Sequence, residues 1–264
     1  MTFPQIAAFA RLADGSAEQT REISGQTTLL SRAVHYIDYD EVHDEITIAN
    51  AMAQAILTFR GGALGKEAPI RIIQGPHTQL ESPDFGMSVD PVNNEIYIAE
   101  QDHVKVYPRG ANGDAAPIRI LAGPNTRLEN PQGYMGLRGV GVDWIHNVLV
   151  VTGYYQDKGH ILIFDRTASG DTQPRAVIAG LKSGITGASY TMRVYPPKGW
   201  ILNPIGGGIG VWSVHDSGDI PPVYVLGREG PGPMGGRFSL NPKTKEIYTG
   251  SDNLIQAFSF PEIF

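Results

Sequence analysis

Arg138, Arg193 and Arg237 recur at the start of equivalent segments of the chain, and His35, Asp38 and Asp84 occupy matching places in two further segments. Guanidinium groups converging on one point bind an anion through charge-assisted hydrogen bonds. His35, Asp38 and Asp84 suit other chemistry: the carboxylates could hold a divalent cation through oxygen, and the imidazole could act as acid or base. Arginines sharing the neighbourhood weigh against a metal there, so a small anionic ligand is the better expectation. A second set mixes tyrosines with a few charges, as ligand-contacting surfaces do. It comprises Tyr134, Met135, Leu137 and Arg138, and then Tyr154, Tyr155, Gln156, Asp157, Lys158 and His160.

Ready-made catalytic motifs are missing. Gly206–Gly210 is rich in glycine but lacks Gly-Lys-Ser/Thr, and it reads as a tight hairpin. No serine sits in a Gly-Xaa-Ser-Xaa-Gly elbow, and no histidine pair has helical metal-binding spacing. His43–Asp44 and Asp102–His103 are adjacent in sequence, so on a strand they would face opposite ways. The chain has no cysteine, which removes disulfides, Cys-ligated zinc, iron–sulfur clusters and thiol catalysis.

The elements that must position these residues are short strands. Between residues 85 and 123 four of them follow in order: Gly86–Asp90, Ile96–Ala99, Val104–Tyr107 and Ile118–Leu121, here lettered A to D. Turn formers separate them, including Asp90-Pro-Val-Asn-Asn and Asn112-Gly113-Asp114. The unit repeats. Its strand-C anchors are Phe9, Phe59, Tyr107, Phe164, Trp212 and Phe258, spaced by 50, 48, 57, 48 and 46 residues. Glycines after strand D (Gly25, Gly75, Gly123, Gly180, Gly227) and in the C–D hairpin (Gly15, Gly65, Gly113, Gly170, Gly218) keep the same step.

Repetition from end to end without a linker makes residues 1–264 one all-β domain, a β-propeller of four-stranded antiparallel blades. Counting A–B pairs gives five blades, and counting C strands gives six. Five is favoured, with the N-terminal strands completing the C-terminal blade and closing the ring. Asp40, Asp90 and Asp143 end strand A, with Asn241 in register, and are expected to bond turn amides. Arg21, Arg71 and Arg119 in strand D are expected to form ion pairs or meet solvent.

The motifs Asn112-Gly-Asp114, Ala116-Pro-Ile-Arg119, Gly75-Pro-His-Thr-Gln-Leu80 and Val89-Asp-Pro-Val-Asn-Asn-Glu-Ile-Tyr-Ile-Ala99 resemble NHL-type β-propeller repeats, best over residues 59–107. The resemblance implies a propeller, usually six-bladed, and no single activity, because such repeats serve binding platforms, lyases and hydrolases alike.

Departures from the repeat point to a site. The third unit is nine residues longer than the second, with five extra before strand A and four between B and C. Both loops should emerge where strand A enters the channel. That face is the expected ligand site, with Tyr134, Arg138, Tyr154, Tyr155, Asp157, His160, Arg193 and Arg237 as contacts. The expectation is a non-catalytic binding or interaction module, with no cofactor, for a small anionic molecule or a protein partner. The alternative is a lactonase-like hydrolase or a lyase, using a divalent cation on Asp38, Asp84 and His35 or a His acid/base (His35, His160). Net charge −6 with interspersed signs disfavours nucleic acid, and no apolar run is long enough for a membrane span. Without a basic segment followed by an apolar run at the N-terminus, a cytoplasmic protein is expected.

Overall fold

The computed structural model describes residues 4–32, 34–130, 136–156, 158–186, 191–206, 208–227, 237–251 and 254–264. Strands β1 (Gln5–Ala8) and β2 (Arg21–Ser24) pair with each other. Blade 1 follows as β3 (Val34–Asp40), β4 (Glu45–Asn50), β5 (Ala55–Arg60) and β6 (Arg71–Ile73). Blade 2 is β7 (Gly86–Asp90), β8 (Glu95–Glu100), β9 (His103–Pro108) and β10 (Arg119–Ala122). Blade 3 is β11 (Leu137–Asp143), β12 (Val148–Tyr155), β13 (Lys158–Asp165) and β14 (Ala176–Ile178). Blade 4 is β15 (Arg193–Tyr195), β16 (Trp200–Ile205), β17 (Gly208–Ser213) and β18 (Tyr224–Leu226). Blade 5 has three strands, β19 (Arg237–Asn241), β20 (Glu246–Ser251) and β21 (Leu254–Ser259). All pairings within blades are antiparallel, and the only helices among the described residues are three-residue 3₁₀ turns.

Five blades stand in a ring, each with the meander expected from its sequence unit. Expected closure by strand addition is not seen: among the described pairings β1 bonds to β2 and not to β21. Contacts of another kind reach that pair. Ile23 of β2 bridges Gly65 of blade 1, as Ile73 bridges Gly113, Leu121 bridges Gly170 and Ile178 bridges Gly218. On the other side, Arg11 Nη1 donates to Glu246 of β20 at 3.0 Å.

The turns follow from side-chain chemistry. Asp40, Asp90 and Asp143 each accept two backbone N–H bonds from the residues two and three positions on. Their second oxygens bond His43, Asn93 and His146. These are Asx turns, which close the A–B hairpins as anticipated. The turn ends in the left-handed region at Asp44, Asn94, Asn147 and Lys245. Asp and Asn adopt that region at lower cost than Lys.

Adjacent blades are joined by three repeated devices. Strand D docks its third residue under the next blade, so Ile73, Leu121 and Ile178 are buried. The hairpin glycine of that next blade donates to strand D, as in Gly113 N to Ile72 O at 2.6 Å and Gly170 N to Ile120 O at 2.7 Å. The aspartate after it caps the preceding linker, where Asp114 and Asp171 accept from His77 N and Asn125 N at 2.7 Å each. The third device is ionic. Arg119 of strand D bonds both oxygens of Glu95 at 2.8 Å, and Arg166 of the next blade reaches the same carboxylate at 2.6 Å. Glu45 likewise takes Arg71 from its own blade and Arg109 from the next. Strand-D arginines thus form ion pairs, one of the two expected roles.

Burial alone would raise the pKa of Glu95, but bonds from Arg119 and Tyr97 and the two guanidinium charges reverse this and hold it below the usual range. A depressed carboxylate pKa contributes stability above about pH 4.5, which is lost as pH falls through the folded value. Glu95→Gln leaves two mostly buried guanidiniums without their anion. It should lower the unfolding free energy by about 3 kcal/mol at pH 7, with the gap to wild type closing below about pH 4. Urea titrations at the two pH values measure this, and an equal gap at both would show that the ion pair is not the cause.

Candidate functional site

One cavity of about 260 Å³ lies where blades 1, 4 and 5 meet, lined by His35, Tyr36 and Ile37 of β3, Thr191, Arg193 of β15, Arg237, Phe238 and Ser239 of β19, Tyr248–Gly250 of β20 and Ile255 of β21. Its position follows from the meander. Strands β3, β15 and β19 are the first strands of their blades, and residues at or next to their N-terminal ends line this cavity. The C-terminal half of strand B returns to the same end. Apolar surface comes from Phe238, Tyr36 and Ile255, and the polar groups are two guanidiniums, an imidazole and hydroxyls.

The charges are unbalanced. Arg237 Nη1 donates to the backbone carbonyl of His35 at 3.0 Å, and Arg193 Nη1 donates to that of Met192 at 3.2 Å. Among the described residues neither guanidinium forms an ion pair. Asp38 senses the charge of Arg193, but its own oxygens accept backbone N–H groups from Val89 of blade 2, at 2.8 Å, and from Tyr39. Burial raises its pKa, and the Arg193 charge opposes that rise. Asp38 is therefore a seam residue between blades 1 and 2 as well as a neighbour of the site.

His35 is held through Nδ1 by Asp84, across the seam with blade 2. Burial first, and the Arg237 charge second, lower its pKa below the ordinary histidine value. Among the described residues no group of three or more His, Asp or Glu side chains lies together as a metal set would. Asp38, Asp84 and His35 are not brought into one such cluster.

The remaining expected contacts lie elsewhere. Arg138 is buried, its guanidinium 5.0 Å from the centre of the Phe85 ring, while its carbonyl accepts from the Tyr36 hydroxyl at 3.2 Å. It knits blades 1, 2 and 3 together. The four extra residues between strands B and C of blade 3 do not form a longer loop. They lengthen β12 and β13 to eight residues each, against six in blade 2. Tyr154 and Tyr155 are therefore half-buried hairpin residues paired with Gly159 and Lys158. Tyr134 and Asp157 lie outside the described residues. Of the cavity's lining, Tyr248, Phe238 and Ile255 escaped the sequence reading. Tyr248 was within reach, since it stands in register with Tyr97 in the shared Glu-Ile-Tyr pattern.

No protein-family model matches the chain, and no curated protein matches it. Solved structures do. The Cps50 (Swd1) β-propeller domain of Myceliophteria thermophila aligns over 88% of this chain and 66% of its own, with TM-score 0.58 and 12% identity. A "putative 6-phosphogluconolactonase" from Bacteroides uniformis aligns over 97% and 74%, with TM-score 0.56 and 16% identity. At such identities the likeness establishes the propeller fold. Among the described residues, no helix is long and apolar enough to cross a membrane.

His160 is buried inside blade 3, and its pKa is lowered to about 4, chiefly by burial, with the Arg127 charge adding and a backbone bond to Lys158 opposing. The unfolded chain takes up this proton near pH 6.5 and the folded protein does not. Stability should fall between pH 6.5 and 4, by up to about 3 kcal/mol from this group. His160→Gln should flatten that part of the denaturation profile, and an unchanged slope would place the imidazole in contact with water.

Proposed function

We propose that this chain is a binding module built from NHL-type repeats, and that its ligand is a small anionic molecule held in the cavity between blades 1, 4 and 5. One observation carries the reading: Arg193, Arg237 and His35 line a single cavity, and the two guanidiniums form no ion pair among the described residues. Such groups gain most from a carboxylate or phosphate that presents two oxygens to a planar guanidinium. Tyr36, Phe238 and Ile255 give the rest of the ligand an apolar wall. A cavity of about 260 Å³ is at the small end of ligand pockets, so a compact metabolite fits better than an extended one.

The alternative, acid–base catalysis by His35 as in a lactonase-like hydrolase or a lyase, draws on the bond from Asp84 that fixes the imidazole. The two readings separate at this residue. As an anion contact, His35 gains charge below pH 6.5, and affinity for an anionic ligand should rise as pH falls through its lowered pKa. His35→Gln should remove that rise and leave binding at pH 8 intact. As a catalyst, the same change should abolish turnover.

Calorimetric titration with inorganic phosphate, dicarboxylates and sugar phosphates tests the proposal. At least one should bind saturably, and Arg193→Met or Arg237→Met should weaken it tenfold or more, roughly the worth of one charge-assisted bond. Unchanged affinity in both variants would remove the cavity as the site.

A further inference from the structure

The outer edge of blade 5 differs from the other four. Its strand β21 corresponds to β5, β9, β13 and β17, with Phe258 in register with Phe59, Tyr107, Phe164 and Trp212. Three residues earlier, Ile56, Val104, Ile161 and Ile209 are at most 1% exposed, whereas Ile255 is 70% exposed. Ala257 is exposed too, while its counterparts Thr58, Val106, Ile163 and Val211 are buried. What covers them in the other blades is strand D and the blade beyond, and β21 has no strand D among the described residues.

The groups facing that edge also lack a strand partner among the described residues. In blades 1 to 4 the hairpin glycines Gly65, Gly113, Gly170 and Gly218 donate to a carbonyl of the preceding strand D. Gly15, at the same place in the β1–β2 hairpin, donates instead to the carboxylate of Asp14. Glu246 is in register with Glu45 and Glu95, each of which holds two arginines, one from strand D and one from the next blade. Glu246 has Arg11, the counterpart of Arg109 and Arg166, and the hydroxyls of Thr244 and Tyr248, but no strand-D arginine among the described residues.

We infer that the edge of β21 is a docking site for an extended polypeptide segment of a partner protein, added antiparallel as a fourth strand. The chain's own strands say what it recognises. Arg21-Glu-Ile-Ser-Gly25, Arg71-Ile-Ile-Gln-Gly75 and Arg119-Ile-Leu-Ala-Gly123 share a basic residue, a buried aliphatic two positions on and a glycine two beyond that. In such a complex the basic residue pairs with Glu246, and the aliphatic residue covers Ile255. Strand β21 itself carries no charged residue and no proline, the usual guards of an exposed edge.

The probe is a fluorescein-labelled peptide with the sequence of residues 116–123, Ala-Pro-Ile-Arg-Ile-Leu-Ala-Gly. Titrating the full chain into it should give a saturable rise in anisotropy. In blades 1 to 4 the carbonyl matching Ala257 accepts from the residue ahead of strand D, so the backbone of Ala257 faces the open edge. Ala257→Pro therefore spares the β20–β21 ladder and blocks the edge. It should weaken the peptide at least tenfold, while leaving phosphate or dicarboxylate binding in the cavity unchanged. On the peptide side, glutamate in place of the arginine should weaken it tenfold as well, with no change to the protein. No saturable binding, or equal binding by the proline variant and the glutamate peptide, overturns the inference. So does a dimer in sedimentation that Ala257→Pro dissociates, which would assign the edge to a second copy of this chain.

Discussion

Blades 1 to 4 of this protein each cover the outer edge of their own sheet with a three- or four-residue strand D that also packs toward the next blade. A strand that short contributes little by itself. It is held because its third residue is buried, because in blades 1 to 3 its carbonyl meets a hairpin N–H of the following blade, and because in blades 1 and 2 its arginine shares a carboxylate with that blade. The glutamate clamps at Glu45 and Glu95 are therefore joints rather than surface decoration. Their arginines and carboxylates are mostly buried, where removing one partner leaves a charge stranded.

The ring is uneven because this device is not repeated at blade 5. Between blades 1 and 2 a set of side chains is spent on the seam itself: Asp38 on the amide of Val89, and the Tyr36 hydroxyl on the carbonyls of Phe85 and Arg138. Between blades 5 and 1 the described links are sparser, with Arg237 on the His35 carbonyl near the channel and an exposed Lys243–Glu41 ion pair at the A–B turns. Charge that elsewhere is neutralised in seams is here left facing a cavity. The same irregularity thus supplies both the cationic pocket and the open edge of β21.

Much of the fold was legible in the sequence because its signals are local. Asx residues at strand ends, glycines in hairpins and one aromatic per strand C recur at a fixed step, and each marks a turn or a buried face without knowledge of distant contacts. The sequence pattern puts strand A of blade 2 at Gly86–Asp90, where β7 lies. The site was less legible. Arg138 looked like Arg193 and Arg237 by position, but the Phe85 ring and the Tyr36 hydroxyl draw it into a seam, a long-range outcome that spacing cannot carry. The extra residues around Tyr154 looked like a loop, yet alternating register let them extend a hairpin. Strand counts suggest closure by strand addition, but counts do not say which edge a hairpin meets.

Amide hydrogen exchange along the C strands of the isolated chain tests most directly whether the seam between blades 5 and 1 is the open one. The amides of Ile255 and Ala257 should exchange orders of magnitude faster than those of Ile56 and Thr58 or Val104 and Val106, which lie under a strand D. Equal protection in all of these strands would mean that blade 5 is covered like the rest, and the account of its cavity and edge would be wrong.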